Sequence, residues 1–207
     1  MTREEFDRKA ATWDADPAKL ERARAVAKAI IEEVPLSKSM IGFEYGCGTG
    51  QLGFLLGERL AKIVMGDSSP GMLKVLEQKI ESGGTTNLIP RLLDLTTDPP
   101  PSERFDIIFT LMTLHHIDDI LYILRTFRSM LTTPAYLCIA DLDKENGSFH
   151  GPEFTGHTGF DRKDLKIRTK QAGFADVRFR TVFEVRKTTQ KGEVMSFPVF
   201  LMIARTA

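Results

Sequence analysis

The sequence predicts an α/β fold in which a parallel sheet is covered by helices on both faces, in a single domain spanning residues 1–207. Three observations lead to it. Short apolar runs rich in β-branched and aromatic residues alternate with longer amphipathic stretches along most of the chain. The run Met40-Ile41-Gly42-Phe43-Glu44-Tyr45 breaks into the turn Gly46-Cys47-Gly48-Thr49-Gly50, which opens directly into a helical pattern. Polar residues stand at the ends of successive apolar runs: Glu44, Asp67, Asp94 and Thr110. Right-handed crossovers bring such ends to one edge of a sheet, where α/β folds bind ligands.

Taken in order, Phe6, Ala10 and Trp13 share one helical face at spacings of four and three. Asp16 caps a second helix with Pro17 in its first turn. Its apolar stripe is Ala23, Val26, Ala27, Ile30, Ile31 and Val34, until Pro35 stops it. The first strand is Ile41 to Tyr45, and the helix after the glycine turn runs to about Leu60. The second strand is Lys62 to Gly66, closed by Asp67. Ser68 or Ser69 caps the next helix, with Pro70 near its start and Ser82-Gly83-Gly84 at its stop. A third strand, Asn87 to Leu93, ends at Asp94, and Thr96 to Ser102 is a proline-rich loop. Phe105 to Thr110 is a fourth strand, Asp118 or Asp119 opens a helix to Leu131, and Ala135 to Ala140 is a fifth strand. A long loop over 142–160 precedes a helix from Asp161 to Ala172 and strands at Val177 to Val185 and Val199 to Ala204.

Composition excludes several classes. The hydrophobic fraction of 42% and charged fraction of 27% fit a globular protein with a real core. Lys plus Arg equals Asp plus Glu at 28 each, so no global field draws the chain to nucleic acid or an anionic membrane, and neither is expected as a partner. The basic excess over 161–191 reads as a solvated helix and strand face. Cys47 and Cys138 lack disulfide-framework or metal-ligand spacing, and no metal is expected. The first residues are charged and carry no apolar signal region, and the apolar stretch Ile107 to Leu124 is interrupted by His115, His116, Asp118 and Asp119. A reducing cytoplasm is the expected setting.

The glycine turn carries the chemistry. Glycines at alternate positions remove the Cβ atoms that would hold a ligand off the backbone, and they allow φ values other residues resist. The following helix directs its free N–H groups and positive dipole end at the same place. Asp67 falls about twenty residues beyond, where an acid can accept both ribose hydroxyls. Asp94 at the third strand end is placed for an adenine edge. Each acid alone could serve as a helix cap or solvated loop residue; in register with the turn, they point to a nucleoside.

This constellation resembles the class I S-adenosylmethionine-dependent methyltransferases. The matching motifs are Glu44-x-Gly46-Cys47-Gly48-Thr49-Gly50, Met65-Gly66-Asp67-Ser68-Ser69-x-x-Met72, Leu93-Asp94-Leu95, and Phe105-Asp106-Ile107-Ile108 running into Leu114-His115-His116-Ile117. The resemblance implies a Rossmann-like three-layer sandwich with a seven-stranded, mostly parallel sheet whose antiparallel last strand is inserted beside the fifth. It implies S-adenosylmethionine as cofactor, held by Trp13, Glu44, Tyr45, Gly46, Cys47, Gly48, Thr49, Gly50, Asp67, Ser68, Met72, Asp94, Leu95, Thr110 and Leu111. Glu44 and the glycines would face the methionine moiety, Asp67 the ribose, Met72 one adenine face, and Asp94 with Leu95 the adenine edge. Residues 1–35 would form a helical cap closing over the cofactor.

Two other readings compete. Gly48-Thr49-Gly50-Gln51-Leu52-Gly53 formally matches the dinucleotide pattern of NAD(P)-dependent oxidoreductases, but Glu44 in the strand's last turn would oppose a pyrophosphate while tolerating a sulfonium and an ammonium. A cofactor-binding regulatory protein without catalysis is the second alternative, since no single side chain is indispensable for methyl transfer. A general base is needed only if the acceptor is protonated, and His115 is the candidate. Phe149, His150, Phe154 and His157 in the glycine-rich loop are the candidate acceptor-binding residues. After the fourth strand the chain reads Thr110-Leu111-Met112-Thr113, not the Pro-Pro-aromatic motif of amino-methylating DNA and protein enzymes, so a small-molecule acceptor is expected.

Overall fold

The computed structural model describes residues 2–188 and 192–206. Its core is a seven-stranded sheet built from β1 (Ile41–Tyr45), β2 (Lys62–Asp67), β3 (Leu88–Leu92), β4 (Phe105–Leu111), β5 (Leu131–Leu142), β6 (Phe174–Thr188) and β7 (Val194–Thr206). The spatial order is β3-β2-β1-β4-β5-β7-β6. β1 to β5 are parallel, whereas β7 runs antiparallel to both β5 and β6, as expected for an inserted last strand. Strand order reverses between β1 and β4, which makes their C-terminal ends the crevice of the fold.

Side-chain alternation along the strands sorts the helices. Phe43, Tyr45, Val64, Ile108, Leu137 and Ile139 face α5 (Ile120–Met130) and α6 (Arg162–Gln171). Ile63, Met65, Ile107, Phe109, Cys138 and Ala140 face α2 (Pro17–Glu33), α3 (Gln51–Gly57) and α4 (Pro70–Gly83). The stripe Ile120, Ile123, Leu124, Phe127 of α5 is fully buried, as its three-and-four spacing requires. Asp16, Ser69, Asp119 and Asp161 each accept a backbone N–H in the first turn of the helix they open.

Four elements differ in extent from the sequence reading. α3 stops at Gly57 because the Asn87 side-chain amide donates to the carbonyls of Gly57 and Leu60, at 2.8 and 3.3 Å, ending the helix early. β5, β6 and β7 extend well beyond their apolar cores. Pairing to β7 carries β6 through a solvent-facing segment whose alternation is charged, and β7 in turn through its partner. There the basic excess finds local partners: Arg178 bonds Glu33 at 3.2 Å and Arg180 bonds Glu32 at 3.1 Å, both on α2. Lys191 of that run lies outside the described residues. Among the described residues no helix is long and apolar enough to cross a membrane.

Candidate active site

Gly46, Gly48 and Gly50 all adopt positive φ, at 68°, 53° and 83°. Their reasons differ. A Cβ on Gly46 would lie 2.2 Å from Thr113 Cγ2, so this glycine lets the segment after β4 pack against the turn. A Cβ on Gly48 would meet only the Trp13 indole nitrogen, at 3.9 Å. Bare backbone roofed by an indole is a cradle for a flat or extended small ligand. Thr49 is buried beside it, and Cys47 packs into the core, where burial pushes its thiol far up and leaves it inert.

Glu44, at the end of β1, sets its Oε2 against Gly53 of α3, where an added Cβ would fall 2.6 Å away. It is 2% exposed, and its Oε2 has no hydrogen-bond partner among the described residues. Burial raises this carboxyl well above the ordinary range, the Gly53 N–H opposing the shift and the nearby Asp67 charge adding to it. A cation placed beside it would favour its ionised form. Asp67 closes β2 and ties the strand ends together: its carboxylate accepts the Gly48 N–H at 2.7 Å and the Ser69 N–H at 2.8 Å. Burial raises its pKa too, against the pull of those backbone donors. Ser68 adjoins it, and Met72 is buried in the first turn of α4.

Two expected cofactor contacts take other roles. The Tyr45 ring points to the opposite face, 6.3 Å from Phe43 and 5.6 Å from Phe127 between centroids, because β1 alternation directs it away from Glu44. Its hydroxyl accepts the Leu95 N–H at 3.2 Å. Leu95 is thus fully buried with its donor engaged, and it anchors the loop instead of presenting a base edge. Asp94 forms a local turn, accepting the Thr96 N–H at 3.0 Å and hydroxyl at 2.6 Å.

The N-terminal cap is narrower than 1–35. The stripe of α2 belongs to the core, so only α1 (Arg3–Lys9) and the 3₁₀ turn Ala10–Ala15 cross the strand ends. Two acids that sequence reading did not single out clamp them. Asp7 accepts the Ser69 hydroxyl at 2.6 Å and the Gly71 N–H at 2.8 Å. Asp14 accepts the Thr49 hydroxyl at 2.6 Å, the Gln51 amide at 2.7 Å and the Lys79 ammonium at 2.8 Å. Burial alone would raise the Asp14 pKa, but those three donors hold it below the ordinary value. Asp14→Ala should speed proteolytic cleavage within residues 10–16 roughly tenfold, since each lost hydrogen bond is worth about 1 kcal/mol; limited proteolysis followed by mass spectrometry measures this.

The ends of β4 and β5 form the second wall. Thr110 is buried, its hydroxyl without a partner among the described residues, Leu111 is half-buried, and Met112 takes a positive φ of 56°, a strained conformation of the kind found at functional sites. His115, in the 3₁₀ turn Leu114–His116, is 1% exposed, and its Nδ1 lies 2.6 Å from Asp141 Oδ1 at the end of β5. Asp141 also accepts the backbone N–H groups of His115 and Leu142, at 3.2 and 2.7 Å. With Nδ1–H donating to the carboxylate, the lone pair of His115 sits on Nε2. Asp141 lay inside an apolar run and carried no motif, so only the fold reveals it. Arg22 on α2 is half-buried, its Nε without a partner among the described residues; burial pulls its pKa down, while Asp16 and Asp141 supply the opposing negative charge.

The loop after β5 folds back over this wall. Lys144 and Glu145 donate backbone N–H groups to Phe160 and Thr158, closing its neck. His150 stacks on Phe154 at 4.0 Å and 23°, 5.0 Å from His115. Both rings stand beside His115, whereas Phe149 and His157 make other contacts. Phe149 is buried against Phe197 at 5.2 Å and anchors the loop to the core. The His157 Nε2–H is directed at the carbonyls of Ile117 and Asp118, at 3.0 and 3.3 Å, stitching the loop to the segment before α5. Burial drives the His116 pKa down to about 2 and that of His150 to about 4, so both rings are neutral. A Cβ on Gly156 would lie 2.3 Å from the His115 carbonyl, so Gly156→Ala must displace the loop. It should cost about 1–3 kcal/mol of stability, read as a lower urea midpoint with unchanged slope.

Residues 43–133 match the family model described as "Methyltransferase domain". Over 157 residues the chain is 29% identical to phosphoethanolamine N-methyltransferase 1 of Arabidopsis thaliana, covering 72% of this chain and 32% of that protein. The chain therefore spans about a third of the length of the curated relatives it matches. Among solved structures, a SAM-dependent methyltransferase from Aquifex aeolicus superposes with a TM-score of 0.68 at 19% identity, covering 100% of both chains. Phosphoethanolamine N-methyltransferase 2 of Haemonchus contortus, in complex with S-adenosyl-L-methionine, superposes with a TM-score of 0.67 at 13% identity, covering 87% of this chain and 52% of that one. At these identities the structures establish the shared fold.

Proposed function

We propose that the chain is a class I S-adenosylmethionine-dependent methyltransferase, as its match to the methyltransferase domain over residues 43–133 supports, and that it moves a methyl group from that cofactor to a small amine bearing an anionic group. The observation that carries the cofactor is the buried carboxyl of Glu44 at the end of β1, its Oε2 without a hydrogen-bond partner among the described residues, together with the open backbone of Gly48 in the turn that follows. A cationic amino-acid tail satisfies both, whereas a pyrophosphate would meet a buried acid. Trp13 roofs the cradle, Asp67 meets the ribose, and Met72 with Asp94 flanks the base. S-adenosylmethionine, when bound, supplies a sulfonium methyl group open to in-line displacement. The chain's own residues then orient the acceptor and manage its proton.

An amine is protonated at neutral pH and must lose a proton before its lone pair can attack. His115 Nε2 takes that proton, and Asp141 stabilises the imidazolium that results. Phe6, 5.4 Å from His116, and Phe154 keep water from the reacting atoms. Arg22 supplies the counter-charge for an acceptor phosphate or carboxylate. The relatives named for phosphoethanolamine support this acceptor class. A release assay for S-adenosylhomocysteine across amines, phenols, thiols and carboxylates, phosphoethanolamine included, tests the reading. Turnover should be greatest with anionic amines, and Arg22→Ala should raise KM for them about tenfold while sparing neutral amines. Cofactor binding without product from any acceptor would favour a non-catalytic binding protein.

A further inference from the structure

We propose that His115, His116 and His150 form a three-imidazole site for a divalent late first-row transition-metal cation of the zinc, cobalt or nickel type. One ligand nitrogen from each ring lies within 4.8 Å of the other two. The rings come from two separate segments, the 3₁₀ turn after β4 and the loop after β5, and meet with centroids 4.2, 5.0 and 5.6 Å apart. Packing alone does not explain the polar atoms. Among the described residues His150 Nε2 is buried with no hydrogen-bond partner, an arrangement that native interiors avoid unless a partner is missing. His115 is already prepared as a ligand: its Nδ1–H is held by Asp141, the carboxylate–histidine arrangement that orients metal-bound imidazoles and leaves Nε2 free to coordinate.

Imidazole nitrogens suit these cations better than magnesium or calcium, which prefer oxygen. Tetrahedral coordination at about 2.0–2.1 Å places ligand nitrogens about 3.3 Å apart, so the rings need close by only about 1.5 Å. Three protein ligands leave a fourth position for water or an acceptor atom. The site goes beyond the methyl-transfer reading and does not depend on it. Cation binding and proton acceptance share His115 Nε2, so the two exclude one another at that atom.

The test uses tag-free protein stripped with a chelator and titrated with cobalt(II), followed by visible absorption, and with zinc(II), followed by calorimetry. One cation per chain should bind, with visible bands of tetrahedral or five-coordinate intensity. His150→Phe keeps the stack on Phe154 and should weaken binding at least tenfold, as should His116→Gln. Both variants should retain their thermal transition and their S-adenosylmethionine affinity, which separates this outcome from failure of the cofactor reading. No binding, or binding unchanged in both folded variants, would overturn the proposal.

Discussion

Asp141→Asn should lower kcat about 10²- to 10⁴-fold, the range a positioned general base supplies, while S-adenosylmethionine affinity changes less than twofold. The reason is donor crowding. Asp141 receives the Nδ1–H of His115 and two backbone N–H groups, all within 3.2 Å. An asparagine replaces one acceptor oxygen with an NH₂, which must confront one of those donors. The repulsion is relieved by moving the His115 proton to Nε2, and the nitrogen that should accept a proton is then already protonated. The carboxylate charge that would stabilise the imidazolium is lost as well. Steady-state kinetics with an anionic amine, across pH, provide the measurement. If kcat and its pH profile are unchanged in the folded variant, the pair is only a strut between β4 and β5.

Glu44→Gln should weaken S-adenosylmethionine binding at least about 30-fold, since truncating one member of a buried charge pair costs about 2–5 kcal/mol. It should also make the ligand-free protein more stable at neutral and alkaline pH. The sign follows from linkage. Burial raises the folded-state pKa of Glu44 above its unfolded value, so its contribution is fully present below about 4.5 and is lost as pH rises through the folded value. Glutamine cannot ionise, and that loss disappears. Wild-type Tm should therefore fall relative to the variant as pH rises. Cofactor affinity should move the other way in the wild type, strengthening as pH rises because a cationic ligand expels the Glu44 proton, and it should be flat in Glu44→Gln. Parallel pH profiles for the two proteins would place the proton elsewhere.

How far the sequence reaches is visible in individual residues. The succession of strands and helices and the glycine turn are legible because they rest on local rules: hydrophobic period, Asp and Ser caps, and alternate glycines followed by an acid at the second strand end; the place of the last strand in the sheet comes only from the family resemblance. Side-chain facing was harder. Tyr45 stands beside the turn in sequence, yet the two-residue period of β1 sends it to the far face, while neighbouring Glu44 is buried against Gly53 of α3. Leu95 keeps its place in the motif but gives its N–H to Tyr45. Partners distant in sequence left no signal at all. Asp141 is 26 residues from His115, and Asp7 and Asp14 read as ordinary helix acids until the fold lays them over α4 and Thr49. The loop from 143 to 160 stands out by its glycines and aromatics, but only the folded contacts separate His150 and Phe154, which stack together beside His115, from Phe149 and His157, which hold the loop down.

The most direct test is a calorimetric titration of S-adenosylmethionine into the unmodified chain in two buffers of different ionisation enthalpy. Binding of one molecule per chain is expected, with release of up to one proton that disappears in Glu44→Gln, and with affinity lost in Asp67→Ala. NADH should give no signal. Absence of S-adenosylmethionine binding, with NADH binding in its place, would contradict the account.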